Sequence, residues 1–320
     1  MNARAGRSRR KLVLLVVAAF VVVVLVILAL WYLLAGRVPS PIPTPPPPDR
    51  PSSQPASCPD VQVVVVPGTW ESSSTDDPYA PTANPMSLML NVSGPLQERF
   101  DPSRADVYTV PYVAQFSNPI ALPPDGQTSY NKSRGEGTAR ATEFIAARHA
   151  ECPLTTFALT GFSQGAVIAG DIAARIGAGD GPIAEDLVLG VALLADGRRD
   201  PAQGTSVGPP VEGVGAEVSL SGLDVPGITM TGSREGGFGD LDDRVVSICA
   251  PSDGICDAPP NALNPGNWIS SANRLLEYHN NPAHAMYNTF VVDESGATST
   301  SWTVAWLSDK IDNAPHPPHS

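Results

Sequence analysis

Cationic side chains are the first scarcity. The 320-residue chain has 20 Lys/Arg against 32 Asp/Glu, and only 16% of its residues are charged. Six of the basic groups (Arg4, Arg7, Arg9, Arg10, Lys11, Arg37) lie in the first 37 residues, which hold no acid, so the remainder carries a balance of −18. A body this acidic excludes nucleic acid as the natural partner, because phosphate contacts need Lys and Arg. It also excludes electrostatic adhesion to anionic lipid. Cysteine is nearly absent too, with four (Cys58, Cys152, Cys249, Cys256) and no C-x-x-C pair, which argues against a structural zinc site. Nothing in the pattern asks for a metal or a cofactor.

Proline and long apolar runs are plentiful. Residues 12–35 are 24 consecutive apolar residues. As a helix they would reach about 36 Å, enough for a hydrocarbon core of about 30 Å. The run is too long for the h-region of a cleaved signal peptide, the alternative reading, and no A-x-A site follows it. With five Lys/Arg in residues 1–11, the N-terminus is expected in the cytoplasm and residues 12–35 as a transmembrane signal anchor. Everything beyond would then be extracytoplasmic, in the periplasm or cell envelope, where an even cysteine count favours two disulfides. Residues 36–57 form a linker; nine of the seventeen residues 39–55 are Pro, which favours extended polyproline II.

The body is expected from residue 58 to 312, followed by a disordered Pro/His tail, 313–320. Short β-branched runs (Val61–Val66, Ala105–Tyr112, Thr155–Thr160, Leu187–Leu194, Arg244–Cys249) alternate with helical stretches (Asn84–Phe100, Gly135–His149, Gln164–Ile176, Asn267–Asn280, Trp302–Ile311). That alternation predicts an α/β fold with a mostly parallel central sheet covered by helices on both faces. Residues 204–240 hold ten glycines in 37 and only weak alternation, over Glu217–Leu220 and Ile228–Thr231. They read as an inserted loop or hairpin, either a lid or a decoration.

Gly161-Phe162-Ser163-Gln164-Gly165 fits G-x-S-x-G between a strand and a small-residue helix, the setting of a nucleophile elbow. Ser163 would stand at a helix start, where free N–H groups favour a developing anion. A serine needs a histidine base held by a carboxylate. In such folds the order is Ser, acid, His, which sets aside His149; His316 and His319 lie in the Pro/His tail, leaving His279 and, favoured by its loop after Asn280-Asn281-Pro282, His284 as bases. Asp253 stands out as the acid because it lies in the loop Cys249–Cys256 after a strand; Asp257 competes. A bridge closing that small loop would contribute about 2.5 kcal/mol by chain entropy, against about 4.7 for a long Cys58–Cys152 loop, so its value is local. The oxyanion donors would be the N–H of Gln164 and, from the loop Pro67-Gly68-Thr69-Trp70, that of Thr69. Trp70 would either wall the substrate or pack locally.

Taken together, these residues resemble the cutinase family. Its elbow G-[YF]-S-Q-G is matched at 161–165, with Cys152 upstream. Its acid motif C-x-x-x-D-x-[IV]-C is matched by Cys249, Asp253, Ile255 and Cys256, and its base motif H-x-x-Y by His284 and Tyr287. Cys58 precedes the first strand, and Thr69 takes the oxyanion-loop position, where Ser is commoner. The resemblance implies an α/β-hydrolase without a large cap domain, a Ser163–His284–Asp253 triad, bridges Cys58–Cys152 and Cys249–Cys256, and serine carboxylic-ester hydrolase activity. The anchor, linker and insertion depart from secreted polyester-degrading cutinases. They resemble the membrane-anchored cutinase-like proteins of mycobacteria, which implies long-chain acyl lipids as substrates. It also implies phospholipase A or thioesterase activity in mycolate metabolism of the cell envelope.

Overall fold

The computed structural model describes residues 22–26, 50–118, 121–267 and 282–320. The chain divides into Met1–Asp49 and Arg50–Ser320. In the first unit residues 22–26 are helical and exposed. The rest of the expected anchor 12–35, the basic residues 1–11 and the linker up to residue 49 lie outside the described residues. Among those described, no helix is long and apolar enough to cross a membrane.

The second unit is built on six parallel strands: β1 (Val61–Val66), β2 (Ala105–Thr109), β3 (Thr156–Phe162), β4 (Val188–Leu194), β5 (Thr205–Val207) and β8 (Val245–Ile248). Their order is β2-β1-β3-β4-β8-β5, with every neighbouring pair parallel. β1, VQVVVV, is buried at all six positions, as a strand covered on both faces must be. Its side chains alternate between two layers. Val61, Val63 and Val65 meet Val92 and Leu96 of helix α1 (Leu90–Arg99) and Leu307 and Ile311 of the C-terminal helix Ser299–Asp312. Val64 and Val66 meet Ile145 of α2 (Tyr130–Glu151) and Ile168 and Ile172 of α3 (Gln164–Gly177).

This order places the site. β1 pairs with β2 on one side and β3 on the other, so chains leaving the carboxyl ends of β1 and β3 diverge to opposite faces. The crevice between them is where open α/β sheets bind ligands. The loop after β1 and Ser163 after β3 both open into it.

Several boundaries differ from the sequence reading. β2 ends at Thr109 instead of Tyr112, since Pro111 has no N–H to continue the ladder. α2 begins at Tyr130, five residues early, because Tyr130 and Ser133 are buried against the body; tertiary packing overrides weak helix propensity. The segment expected to be helical at 267–280 falls almost wholly outside the described residues.

The insertion 204–240 is bound into the body. Residues Thr205–Val207 pair with β8 as the sheet's edge. Glu217–Leu220, read as weak alternation, is a single helical turn, α4 (Ala216–Ser219). A two-residue-strand hairpin follows, β6 (Asp224–Val225) against β7 (Ile228–Thr229); we number the C-terminal helix Ser299–Asp312 α5. Arg234 lies buried on Asp196 (2.6 and 3.1 Å) and Asp171 (3.0 Å), while Glu217 takes Arg134 (3.1 Å). Gly170 is obligatory beneath Arg234, since a Cβ there would stand 2.3 Å from the guanidinium.

The tail 313–320, expected to be disordered, is also tied down. His316 and His319 approach opposite oxygens of Asp60 at 2.8 and 3.0 Å, beside Arg104 at 2.8 Å, and Ser320 N–H donates to Gln54 O. Low complexity suggested a loose end; a mostly buried carboxylate needing cations holds it. Burial pushes Asp60 up, but Arg104, His319 and His316 outweigh it and keep the carboxyl below its usual range.

Candidate active site

The elbow forms where β3 meets α3. Ser163 has φ +55° and ψ −121°, a conformation costing a non-glycine residue on the order of 1–3 kcal/mol. The glycines on either side make it possible. A Cβ at Gly161 would lie 2.3 Å from Gly165 O, and one at Gly165 would lie 2.1 Å from Val66 O. Ser163 N–H donates to Leu194 O (2.9 Å), which pins the turn to β4.

Three side chains meet across the crevice. His284 Nε2 is 2.9 Å from Ser163 Oγ. His284 Nδ1 is 2.9 and 3.1 Å from the two oxygens of Asp253. A carboxylate only accepts, so its position favours the ring proton on Nδ1 and leaves Nε2 to accept from the serine. Asp253 also accepts Ile255 N–H (3.0 Å) and the Tyr287 hydroxyl (2.8 Å). Burial first, then the Asp253 charge, pushes the Tyr287 phenol up, so it stays a donor. Its oxygen in turn accepts Ala250 N–H (2.9 Å). Cys249–Cys256, Cα atoms 5.8 Å apart, closes the loop carrying Asp253, and Cys58–Cys152 joins the start of the body to the end of α2.

The competitors lie elsewhere. Asp257 accepts Gly213 N–H (2.8 Å) and Ser252 N–H (2.9 Å) and so shapes the loop. His279 lies outside the described residues. The insertion meets the acid loop through its backbone: Ala216 N–H donates to Ile255 O (2.8 Å) and Val214 N–H to Ala258 O (2.9 Å).

The cavity above Ser163 has a volume of about 640 Å³, within the range of small-molecule sites. Leu88, Phe116, Phe162 and Ile255 give it an apolar wall, and Trp70 and Met86 stand exposed at its rim. No residue of 204–240 lines it, so the lid expectation gives way to a segment fixed on the edge of the sheet. Trp70 does line the cavity, with φ +66° and its indole N–H on Gln127 (2.7 Å). Thr69 lines it as well. Among the described residues neither the Thr69 nor the Gln164 N–H has an acceptor. The Gln164 side chain is anchored through its Oε1 to Ser133 Oγ (2.8 Å) and the Tyr112 hydroxyl (3.2 Å). The cluster Tyr112, Ser133 and Glu71 around the elbow was not legible in sequence. Tyr287 was marked only as part of the H-x-x-Y pattern.

A serine on a strand–helix elbow at the switch point of a parallel sheet, chained to a histidine and a carboxylate, defines the serine α/β-hydrolase class. The cutinase family model matches residues 57–268, and the chain belongs to the cutinase family. It is 50% identical over 262 residues, 80% of this chain and 82% of the relative, to "Carboxylesterase Culp6 homolog" of Corynebacterium glutamicum. Solved structures similar to it include an acetyl xylan esterase (19% identity, 79% of this chain and 99% of that one, TM-score 0.49). A cutinase-like protein from Cryptococcus sp. is another (17% identity, 84% and 100%, TM-score 0.46). The protein is a cutinase-like serine carboxylic-ester hydrolase.

Proposed function

We propose that Ser163, His284 and Asp253 are the catalytic triad of a membrane-anchored, extracytoplasmic esterase acting on long-chain acyl esters or thioesters of envelope lipids. The observation that carries this reading is the continuous chain Ser163 Oγ–His284–Asp253 at the floor of an apolar cavity. Ser163 Oγ attacks the carbonyl carbon while His284 Nε2 takes its proton. The carbonyl oxygen becomes an anion between the N–H groups of Gln164 and Thr69, the former at the N-terminus of α3. Collapse expels the alcohol or thiol, which receives the proton from His284, and leaves an acyl-enzyme. Water, deprotonated by the same imidazole, then releases the acid. Asp253 orients the ring and balances its charge without taking the proton.

The acyl-lipid class is favoured by the apolar side chains Leu88, Phe116, Phe162 and Ile255 in the cavity wall and by the scarcity of Lys/Arg in the body. Placement at the cell membrane is favoured by the apolar run 12–35 and the basic residues before it. Phospholipase A and thioesterase activity in mycolate metabolism are the finer form of this proposal. A fluorophosphonate probe tests the nucleophile: wild type is labelled, and equal labelling of Ser163→Ala overturns the assignment. Lipid profiling of envelopes from cells carrying Ser163→Ala tests the substrate class. An unchanged lipid profile counts against envelope lipids, and an intact N-terminus found only in the medium counts against anchoring. Binding of acyl lipid without turnover of a p-nitrophenyl ester would mark a non-catalytic lipid-binding module instead. Turnover confined to polyesters would mark a cutin-type hydrolase.

A further inference from the structure

Of the four backbone N–H groups of residues 68–71, three have acceptors. Pro67 has no N–H, and its carbonyl accepts the Tyr112 hydroxyl (2.7 Å). Gly68 N–H donates to Glu71 Oε2 (2.9 Å), and Gly68 O accepts Glu71 N–H (3.1 Å). Trp70 N–H donates to Ala114 O (2.6 Å), and Trp70 O accepts Asn84 Nδ2 (3.0 Å). Buried backbone donors are nearly always satisfied in a native protein. The N–H of half-buried Thr69 is the one within 67–71 without an acceptor among the described residues, and Thr69 stands in the wall of the cavity that holds Ser163.

Glu71 makes that exception possible. Its second oxygen accepts Leu88 N–H (2.6 Å), so one carboxylate joins the loop after β1 to the turn entering α1. A carboxylate offers about four acceptor sites and no donor, which suits two converging N–H groups that cannot bond each other. Electrostatics gives no other reason for it. A carboxyl group in the wall of the cavity where an anion must form offers that anion no stabilisation by charge, so its use lies in the groups it holds. Burial pushes the Glu71 carboxyl up, against the N–H groups of Gly68 and Leu88 that lower it, so the two short N–H contacts, one on each oxygen, are what the fold gains from the group.

We propose that Glu71 is a positioning residue for ester hydrolysis: by holding the N–H groups of Gly68 and Leu88 it fixes the loop so that the Thr69 N–H stays unbonded at the cavity wall for the substrate's developing oxyanion. The proposal rests on the reading of Ser163 as nucleophile. Glu71 itself does not touch the reacting atoms.

The test is Glu71→Gln, which keeps the shape but turns an NH2 toward one of the two donors. Loss or displacement of an oxyanion donor costs about 10²-fold. Turnover per fluorophosphonate-titrated Ser163 should fall by about that factor, with KM within about twofold. Two inhibitors separate positioning from general damage. An alkyl trifluoromethyl ketone adds Ser163 Oγ to its carbonyl and places an oxyanion in the hole, whereas a long-chain alcohol only fills the cavity. The ketone should weaken by the same factor as kcat/KM, and the alcohol should bind as in wild type. Turnover within threefold of wild type overturns the proposal, and so does lost turnover with unchanged ketone affinity. If the Gln variant yields no folded protein, Glu71→Asp, which keeps the charge and retracts the oxygens by one methylene, is read by the same pair. Labelling of Ser163→Ala as strong as wild type would sink the underlying assignment instead.

Discussion

Arg234 offers the most direct test of whether the glycine-rich insertion is fixed or moves. Its guanidinium is buried and makes a two-point contact with Asp196 (2.6 and 3.1 Å), a third bond to Asp171 (3.0 Å) and a fourth to Val167 O (3.3 Å). In Arg234→Met, Asp171 keeps Arg134 and Arg198 (2.6 and 2.8 Å). Asp196, 1% exposed, keeps only the Arg198 N–H (3.0 Å) among the described residues. Breaking a buried pair from one side costs about 3–5 kcal/mol, chiefly through the charge left behind. For a body of this size that lowers Tm by about 6–20 °C. Replacing both partners, as Arg234→Met with Asp196→Leu, should recover most of the loss, since the charge no longer needs a partner. Urea denaturation with the disulfides intact measures all three proteins. Esterase turnover per labelled Ser163 in the folded variants should match wild type, because Arg234 does not line the cavity. A loss below about 1 kcal/mol would refute the reasoning. So would thermolysin cutting native wild type within 204–240 at a rate independent of urea, the behaviour of a segment that opens by itself.

Other consequences follow from the same contacts. Tyr287→Phe removes a donor from Asp253 and an acceptor from the Ala250 N–H, so stability should fall by about 2–4 kcal/mol, with kcat lowered as Asp253 loosens; urea titration and steady-state kinetics measure both. Gly165→Ala should yield no labelled protein, since its Cβ would press on Val66 O at 2.1 Å. Gly135→Ala, in α2 with nothing within 4 Å of an added Cβ, should gain about 0.5–1 kcal/mol in a thermal melt. The pair Cys249→Ser and Cys256→Ser should cost about 2.5 kcal/mol and lower turnover at temperatures where the protein remains folded. The Asp60 hydrogen bond raises the His319 imidazole above its ordinary value. A pKa raised on folding adds stability that is full below the unfolded value and is lost as pH rises through the folded one. The tail 313–320 should therefore become more open to protease on going from about pH 5 to about pH 9; His319→Asn should flatten that dependence, and protection that grows with pH would contradict it.

The architecture was largely legible because its signals are local. Continuous β-branched runs such as Val61–Val66 mark strands buried on both faces, and Gly161 and Gly165 mark a turn too tight for any side chain. The misses came where distant groups decide. Pro111 shortened β2, and the burial of Tyr130 lengthened α2. The tail looked unstructured until Asp60, more than 250 residues away, supplied a partner for His316 and His319. The insertion looked like a loop because glycine hides periodicity, while its anchors, Arg234 and Glu217, find their partners just past the carboxyl end of β4 and on two helices.

For function, the order Ser163, Asp253, His284 and the spacing within each motif were written in the chain, because a nucleophile elbow, a small cysteine-closed loop and an H-x-x-Y turn each impose short-range requirements. The chain alone could not set aside Asp257, whose oxygens turn out to hold Gly213 and Ser252, nor could it single out Glu71 or Tyr112. Those roles depend on which N–H groups are left over once every other one has found its acceptor. That balance is struck only when β1, β2 and β3 lie side by side and the loops at their carboxyl ends close on one another.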